Sequence, residues 1–460
     1  MRDMGHGPSI PKRLGNTGQA IFFAGVVLVI LSIPTPALAH SLGGLSNLPL
    51  PLTYFVAGVA TLLIAGFAVL RLRWPDPRWQ RVSPITRWEV PGWGWIMNLL
   101  RAVGLGGLIL VVASGLVGTP SSVRNPSPVL VWVAFWLIVP FAGAFLGDVY
   151  RILNPWQSLT GLLHIGIAEP RSHSVSLGVW PATFVFLGFV WLELVYPQPA
   201  HPRHLAIAAV AYSVLLLATA EMLGRRSAFD HVDAFTTYNR LLSAMAPVDL
   251  DPSEGPGWRG LTGLGETPGF PAFVVAMIGS VAFHGVSTAS WFEPAFGRIG
   301  TSMIGRTSLL ILTVGVFGAT YWLVCRYIAN QVRTLSTERI AQRFIHVLIP
   351  VAFSYIFAHF FTAVVFEGQL LLSTLSDPFG FGWDLFGTAD RTVDFTILSA
   401  VAIWWIQVIV IAVGHLAALV LAHDRSLQDF EGAGTARGRY AILLLLIVLA
   451  AAGLTILAAA

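Results

Sequence analysis

Residues 441–459 read AILLLLIVLAAAGLTILAA and residues 346–366 read HVLIPVAFSYIFAHFFTAVVF; neither run contains lysine, arginine, aspartate or glutamate. A helix rises about 1.5 Å per residue, so about 20 such positions cross the roughly 30 Å hydrocarbon core of a bilayer. Outward from these two, further runs of comparable length occupy 50–70, 95–117, 128–146, 175–196, 205–222, 270–292, 307–325 and 397–421. The chain of 460 residues is 55% hydrophobic and only 11% charged, with mean hydropathy +0.73, values that no soluble chain of this length sustains. These observations predict an all-α, polytopic transmembrane helix bundle of about ten membrane-spanning helices in a lipid bilayer.

Lysine and arginine number 27 against 23 acidic residues, a formal charge of +4. That excess is too small to point to nucleic acid, and its placement says more than its size. Arg2, Lys12 and Arg13 precede an apolar stretch from Ala20 to Ile33, a Pro34/Pro36 break and Ala37-Leu38-Ala39. This is the layout of a cleaved secretory signal peptide over 1–39, leaving 40–460 as a single integral membrane domain. Cleavage after Ala39 would make His40 the mature N-terminus on the outer side, where its amino group and imidazole form a bidentate copper chelate; the alternative is a histidine that merely follows the cleavage site. With that end outside, eighteen arginines, among them Arg71, Arg73, Arg225, Arg343 and Arg439, fall in predicted cytoplasmic loops, against five (Arg124, Arg203, Arg298, Arg306 and Arg391) in outer loops. Basic residues collect on the cytoplasmic side, so the signal peptide and the arginine bias give one orientation.

Ionisable side chains inside the hydrocarbon region are costly unless paired, which makes them the first candidates for a working site. His284 and His359 each lie about eight residues from the predicted outer end of their helices, roughly 12 Å deep and level with each other. Glu367 follows His359 by eight positions, close to two turns, on the same face and nearer the surface. With His40, these supply imidazole and carboxylate ligands for a divalent metal ion, for which zinc, manganese and copper are all compatible. Glu193, Asp377, Asp384, Asp390 and Asp394 add carboxylates on the same side. Nearer the cytoplasmic surface, His415, His423, Glu221 and Asp148 form a second polar set, a placement that also suits a transporter or channel for a small solute, a metal ion or protons. For each histidine alone the alternative is an imidazole hydrogen-bonded to a neighbouring backbone. His423 and Asp424, beside Arg425, read as a solvated helix end, and Asp148 and Arg151 as neighbours that pair.

Trp93, Trp95, Trp156, Trp291 and Trp383 sit near predicted boundaries and read as an interfacial belt. The stretch 223–269 reads as an amphipathic segment followed by a flexible linker. One cysteine, Cys325, excludes a disulfide framework and a CxxC redox pair. The chain has no HExxH, no GxSxG elbow, no P-loop, no dinucleotide fingerprint and no EF-hand loop.

The stretches Ile349–His359, Phe366-Glu367-Gly368-Gln369, Leu375–Thr388, Gly414-His415 and Leu421-Ala422-His423-Asp424-Arg425 resemble bacterial membrane proteins called fenitrothion hydrolases, as do Ala39–Gly44 and Gly147–Trp156. The likeness spans most of the mature chain. It implies a membrane-embedded hydrolase of the bacterial cell membrane that cleaves an organophosphorus triester, a small-molecule substrate, and it leaves room for a second membrane subunit. Such hydrolysis needs an activated water and charge stabilisation at phosphorus, both of which a bound metal supplies. His284, His359 and Glu367 are then the expected ligands and Asp377 or Asp384 the general base. His284 enters from depth alone, not from the resemblance. A copper-handling or assembly subunit is a further alternative, resting on His40.

Overall fold

The computed structural model describes residues 49–79, 93–166, 177–247, 258–333, 335–430 and 435–459. The signal segment 1–39 and His40 lie outside the described residues. Within them the chain is a bundle of helices, the form in which a bilayer-embedded backbone satisfies its own hydrogen bonds. Among the described residues nine helical segments are long and apolar enough to cross a membrane, so the protein is an all-α, multi-pass membrane bundle.

One sector is built from α1 (Leu52–Arg73) and, from further along the chain, five more long segments. The other sector follows α1 directly. It begins with α2 (Trp93–Val117) and α3 (Pro126–Leu146), and within α3 residues Val129–Ile138 wind as a π-helix. Short helices α4 (Val149–Leu153) and α5 (Pro155–Leu162) follow, then α6 (Trp180–Leu194) and α7 (Pro202–Leu223). Of the run expected over 175–196, the described residues form an α-helix over the 15 residues of α6, about 22 Å, because Gly178 and the Tyr196-Pro197 turn stop it at both ends. It falls short of a full crossing and is packed inside the bundle by Ala182, Phe186 and Val190.

The stretch after α7 differs from its expected surface role. Helices α8 (Arg225–His231) and α9 (Ala234–Ser243) fold into the protein, with Phe235, Tyr238, Leu241 and Leu242 of α9 fully buried. The amphipathic pattern is real, but the apolar face meets α3 and α6 rather than a lipid surface. After α10 (Trp258–Gly263) the chain returns to the first sector with α11 (Phe270–Thr288), α12 (Phe292–Thr301) and α13 (Met303–Val332). Then come α14 (Thr337–Phe344), α15 (Ile349–Phe366), α16 (Leu370–Ser376), α17 (Ala400–Asp429) and α18 (Thr435–Ala459). Helix α15 packs along α17 and α11, while α1 and α13 flank α18.

At the arginine-bearing end, Asp429 takes Arg343 at 2.6 Å and Arg425 at 3.0 Å, and Arg343 also holds Glu266 at 2.8 Å. His423 and Asp424 are not a solvated end. The His423 Nε2 lies 2.9 Å from the Trp74 carbonyl. The fully buried Asp424 accepts from Trp74 Nε1, Arg78 N and Gln428 Nε2 at 3.1, 2.7 and 2.8 Å. The chain leaving α1 folds back over this helix end and removes it from water, a contact some 350 positions away in sequence. Trp95 and Trp383 are exposed as an interfacial belt requires, but Trp156 is buried and donates to Ser213 Oγ at 2.8 Å.

Candidate functional site

The site is built where α11, α15, α17 and α18 meet, and three glycines let them come close. A Cβ on Gly285 of α11 would collide with Ile456 Cγ2 and stand 3.7 Å from the His359 ring. One on Gly414 of α17 would come within 2.6 Å of Ser354 Oγ and 2.7 Å of the Pro350 carbonyl. One on Gly453 of α18 would lie 2.9 Å from Tyr355 Cζ. At each glycine at least one contact is shorter than a real Cβ tolerates, so glycine at these places sets the spacing of the helices.

Within that frame His284 Nδ1 and His359 Nε2 stand 2.5 Å apart, and the His284 ring stacks on Phe360 with centroids 5.2 Å apart. One ring nitrogen of such a pair donates and the other accepts. One turn back along α15, Tyr355 and His359 both line a small cavity of about 30 Å³, together with Val281, Phe317, Ile411 and Ile456. That volume has room for a water. The Tyr355 hydroxyl donates to the Leu449 carbonyl and lies 3.4 Å from His415 Nε2.

The tautomer of His415 follows from its other side. Its Nδ1 is 2.8 Å from the Ile411 carbonyl, which can only accept, so Nδ1 carries the proton and Nε2 of the neutral ring is an acceptor. The single Tyr355 proton therefore has two acceptors within reach, Leu449 O and His415 Nε2. Gln407 Nε2 donates to the Ala358 carbonyl at 2.9 Å and ties α17 to α15 beside the site.

The remaining residues singled out from the sequence lie elsewhere. Glu367, on the turn following α15, is exposed and joins no cluster with the histidines. Asp377 accepts from Phe381 N and Gly382 N, both at 2.9 Å. Asp384 accepts from Ser376 Oγ at 2.8 Å and Ala389 N at 3.0 Å. The Ala389 amide, with the Ser376 hydroxyl second, holds the Asp384 carboxyl below the ordinary aspartate range, and the Thr396 hydroxyl and amide do the same for Asp394. Asp377 and Asp384 thus fold the loop, which competes with the general-base role expected of them. Of the second polar set, Asp148 caps α4 through the Arg151 amide at 3.0 Å, and Glu221 accepts from Gly166 N at 3.2 Å. His415 belongs to the histidine site and His423 to the helix end at Trp74, so the four occupy separate settings.

Among the described residues no group of three or more His, Cys, Asp or Glu is placed to hold a metal ion. The spacing of the histidine pair also argues for a hydrogen bond. Two nitrogens on one tetrahedral metal at about 2.0–2.1 Å would stand about 3.3 Å apart, against the 2.5 Å found here. Among the described donors the histidine pair is therefore spaced as a hydrogen bond.

Tyr355 was absent from the sequence-derived candidates because a tyrosine in a span is an ordinary packing residue. The available signal was its spacing of four from His359, which puts both on one helix face. Comparisons with protein-family models, curated proteins and solved structures find no significant match.

Proposed function

We propose that this protein conducts protons within the membrane through an imidazole–phenol chain formed by His284, His359, Tyr355 and His415. The observation that carries the reading is the continuity of the chain: a 2.5 Å imidazole pair, a water-sized cavity shared by His359 and Tyr355, and a phenol between two acceptors. In each hop a nitrogen or oxygen lone pair takes a proton on one side as its own N–H or O–H releases one on the other. When Tyr355 gives its proton to His415 Nε2, the phenolate takes one from the His359 side, and the imidazolium returns to neutral by releasing its Nδ1 proton as that N–H turns from the Ile411 carbonyl. Imidazoles suit this role because their unperturbed pKa of about 6.5 allows both protonation states near neutral pH.

The test uses purified protein in liposomes containing a pH-sensitive dye, with a potassium gradient and valinomycin setting the voltage. Voltage-driven proton entry above that of empty liposomes is expected. Entry equal to that of empty liposomes would remove the reading.

A second reading, hydrolysis of an apolar organophosphorus triester, is supported by the resemblance and by the meeting of His284 with His359. No step is assigned to a metal under it. Its test is nitrophenol release from fenitrothion by the purified protein with zinc, manganese or copper added and then chelated. Release that chelation abolishes would favour it, and no release under any condition would end it.

A further inference from the structure

A second cavity, of about 600 Å³, lies between α2, α3, α6 and α7 and shares no lining residue with the histidine site. Small residues, Gly107, Gly188, Ala208 and Ala209, leave the space, and Phe135, Tyr150, Trp156, Phe189, Trp191 and Tyr212 surround it with rings. The volume is that of a site for a compact organic ligand. No formally charged side chain lines it, so it suits a neutral molecule.

The polar tips of the lining rings narrow the chemistry further. Tyr212 donates to Asp233 Oδ1 at 2.8 Å, Trp156 Nε1 to Ser213 Oγ at 2.8 Å and Trp191 Nε1 to Thr307 Oγ1 at 2.9 Å. All three are engaged with protein atoms. Tyr150 is 1% exposed, and its buried hydroxyl meets the Asp233 carboxylate rather than the cavity space. With its polar tips engaged, the lining offers an apolar molecule ring contact and burial.

Access is from the bilayer. Val103 of α2 and Ala211 and Leu215 of α7 line the cavity and are exposed on apolar helices long enough to span. The far wall, with Leu130, Val131, Ala134 and Phe135, is the π-helical part of α3, a backbone form frequent at functional sites.

We infer that this cavity binds a neutral, ring-bearing, lipid-soluble molecule that enters from the bilayer. Ring stacking and burial hold the molecule.

Benzophenone is a suitable probe, with two rings, one carbonyl and a photoreactive centre. The full-length protein in lipid nanodiscs is irradiated over a range of benzophenone concentrations, and cross-links are mapped by peptide mass spectrometry. Saturable labelling of peptides containing residues 103–111 or 205–215 is expected. Gly107→Phe with Gly188→Phe fills the space, and because a Cβ at either glycine meets nothing within 4 Å, the doubly substituted protein is expected to fold, checked by its elution and unfolding profile. It should lose the saturable labelling at least about tenfold. Labelling that rises linearly with concentration and is equal in the folded, filled protein would overturn the site.

Discussion

Asp233 and His359 are both polar groups within an apolar bundle, and their hydrogen bonding differs in kind. Asp233 sits at the start of α9 and is fully buried. Its Oδ1 accepts from Phe235 N, Thr236 N and the Tyr212 hydroxyl at 2.9, 3.2 and 2.8 Å. Its Oδ2 accepts from Thr236 Oγ1 and Asn154 Nδ2 at 2.7 and 3.0 Å. Every donor points at one carboxylate, which thereby joins α5, α7 and α9. Around His359 the groups are few, each can donate or accept, and the Tyr355 proton has two acceptors. A saturated network fixes architecture, whereas an undersaturated one leaves protons free to move.

Asp233→Ala attacks the saturated side and should have the largest effect. It strands the buried Tyr212, Asn154 and Thr236 donors together with two backbone amides, at about 1–3 kcal/mol for each group left unpaired. Thermal unfolding in detergent should show a loss of at least about 3 kcal/mol or failure to accumulate folded protein. Asp233→Asn, which keeps an acceptor oxygen, should lose less. If Asp233→Ala were as stable as the parent, the distinction between the two interiors would collapse.

His359→Ala attacks the other side and reverses the pattern. Proton entry into liposomes should fall at least about tenfold, while unfolding shifts far less than in Asp233→Ala, since the half-buried imidazole makes one side-chain hydrogen bond. Gly453→Val is subtler, because it leaves all four proton carriers in place and pushes a methyl group into the space taken by the Tyr355 ring. A several-fold slower entry is expected, together with a stability loss of about 1–3 kcal/mol from overpacking. Unaltered entry would mean that the Tyr355 position is immaterial.

The smallest effect concerns the loop outside the bundle. The Asp384 carboxyl is depressed by the Ala389 amide and the Ser376 hydroxyl, so its folded value lies below its unfolded one. Its contribution to loop order is therefore present above the unfolded aspartate range of about 3.9 and is lost as pH falls through the depressed folded value. Limited proteolysis by an acid-active protease should show cleavage after residues 377–394 rising only in that low window. In Asp384→Asn the rise should be flattened; an equally steep rise would assign it to another group.

Much of the architecture is legible in the sequence, since uninterrupted apolar runs of spanning length, such as 346–366 and 441–459, leave few alternatives to helix. Residues 175–196 misled because apolar composition does not show where Gly178 and Pro197 end the helix or that its neighbours enclose it. Depth along the helix axis placed His284 and His359 level, and in the structure their rings meet. What no local pattern could show is which polar groups are covered by distant chain. Residues 74–78 bury His423 and Asp424, and α9 carries Asp233 inward, although both places look like surface in sequence. The link from the histidine pair to His415 was hidden for another reason: it runs through a tyrosine, which titrates too high to be noticed among ionisable residues.

The most direct test of the chain is proton entry in Tyr355→Phe compared with the parent protein and His359→Ala, at equal protein per liposome. The phenylalanine keeps the ring against Gly453 and removes only the hydroxyl that stands between His359 and His415. A conducting chain predicts that Tyr355→Phe slows entry nearly as much as His359→Ala while the protein remains folded. Entry in Tyr355→Phe at the parent rate, with His359→Ala inactive, would show that protons reach the histidine pair by a route that bypasses Tyr355 and would contradict the proposed chain.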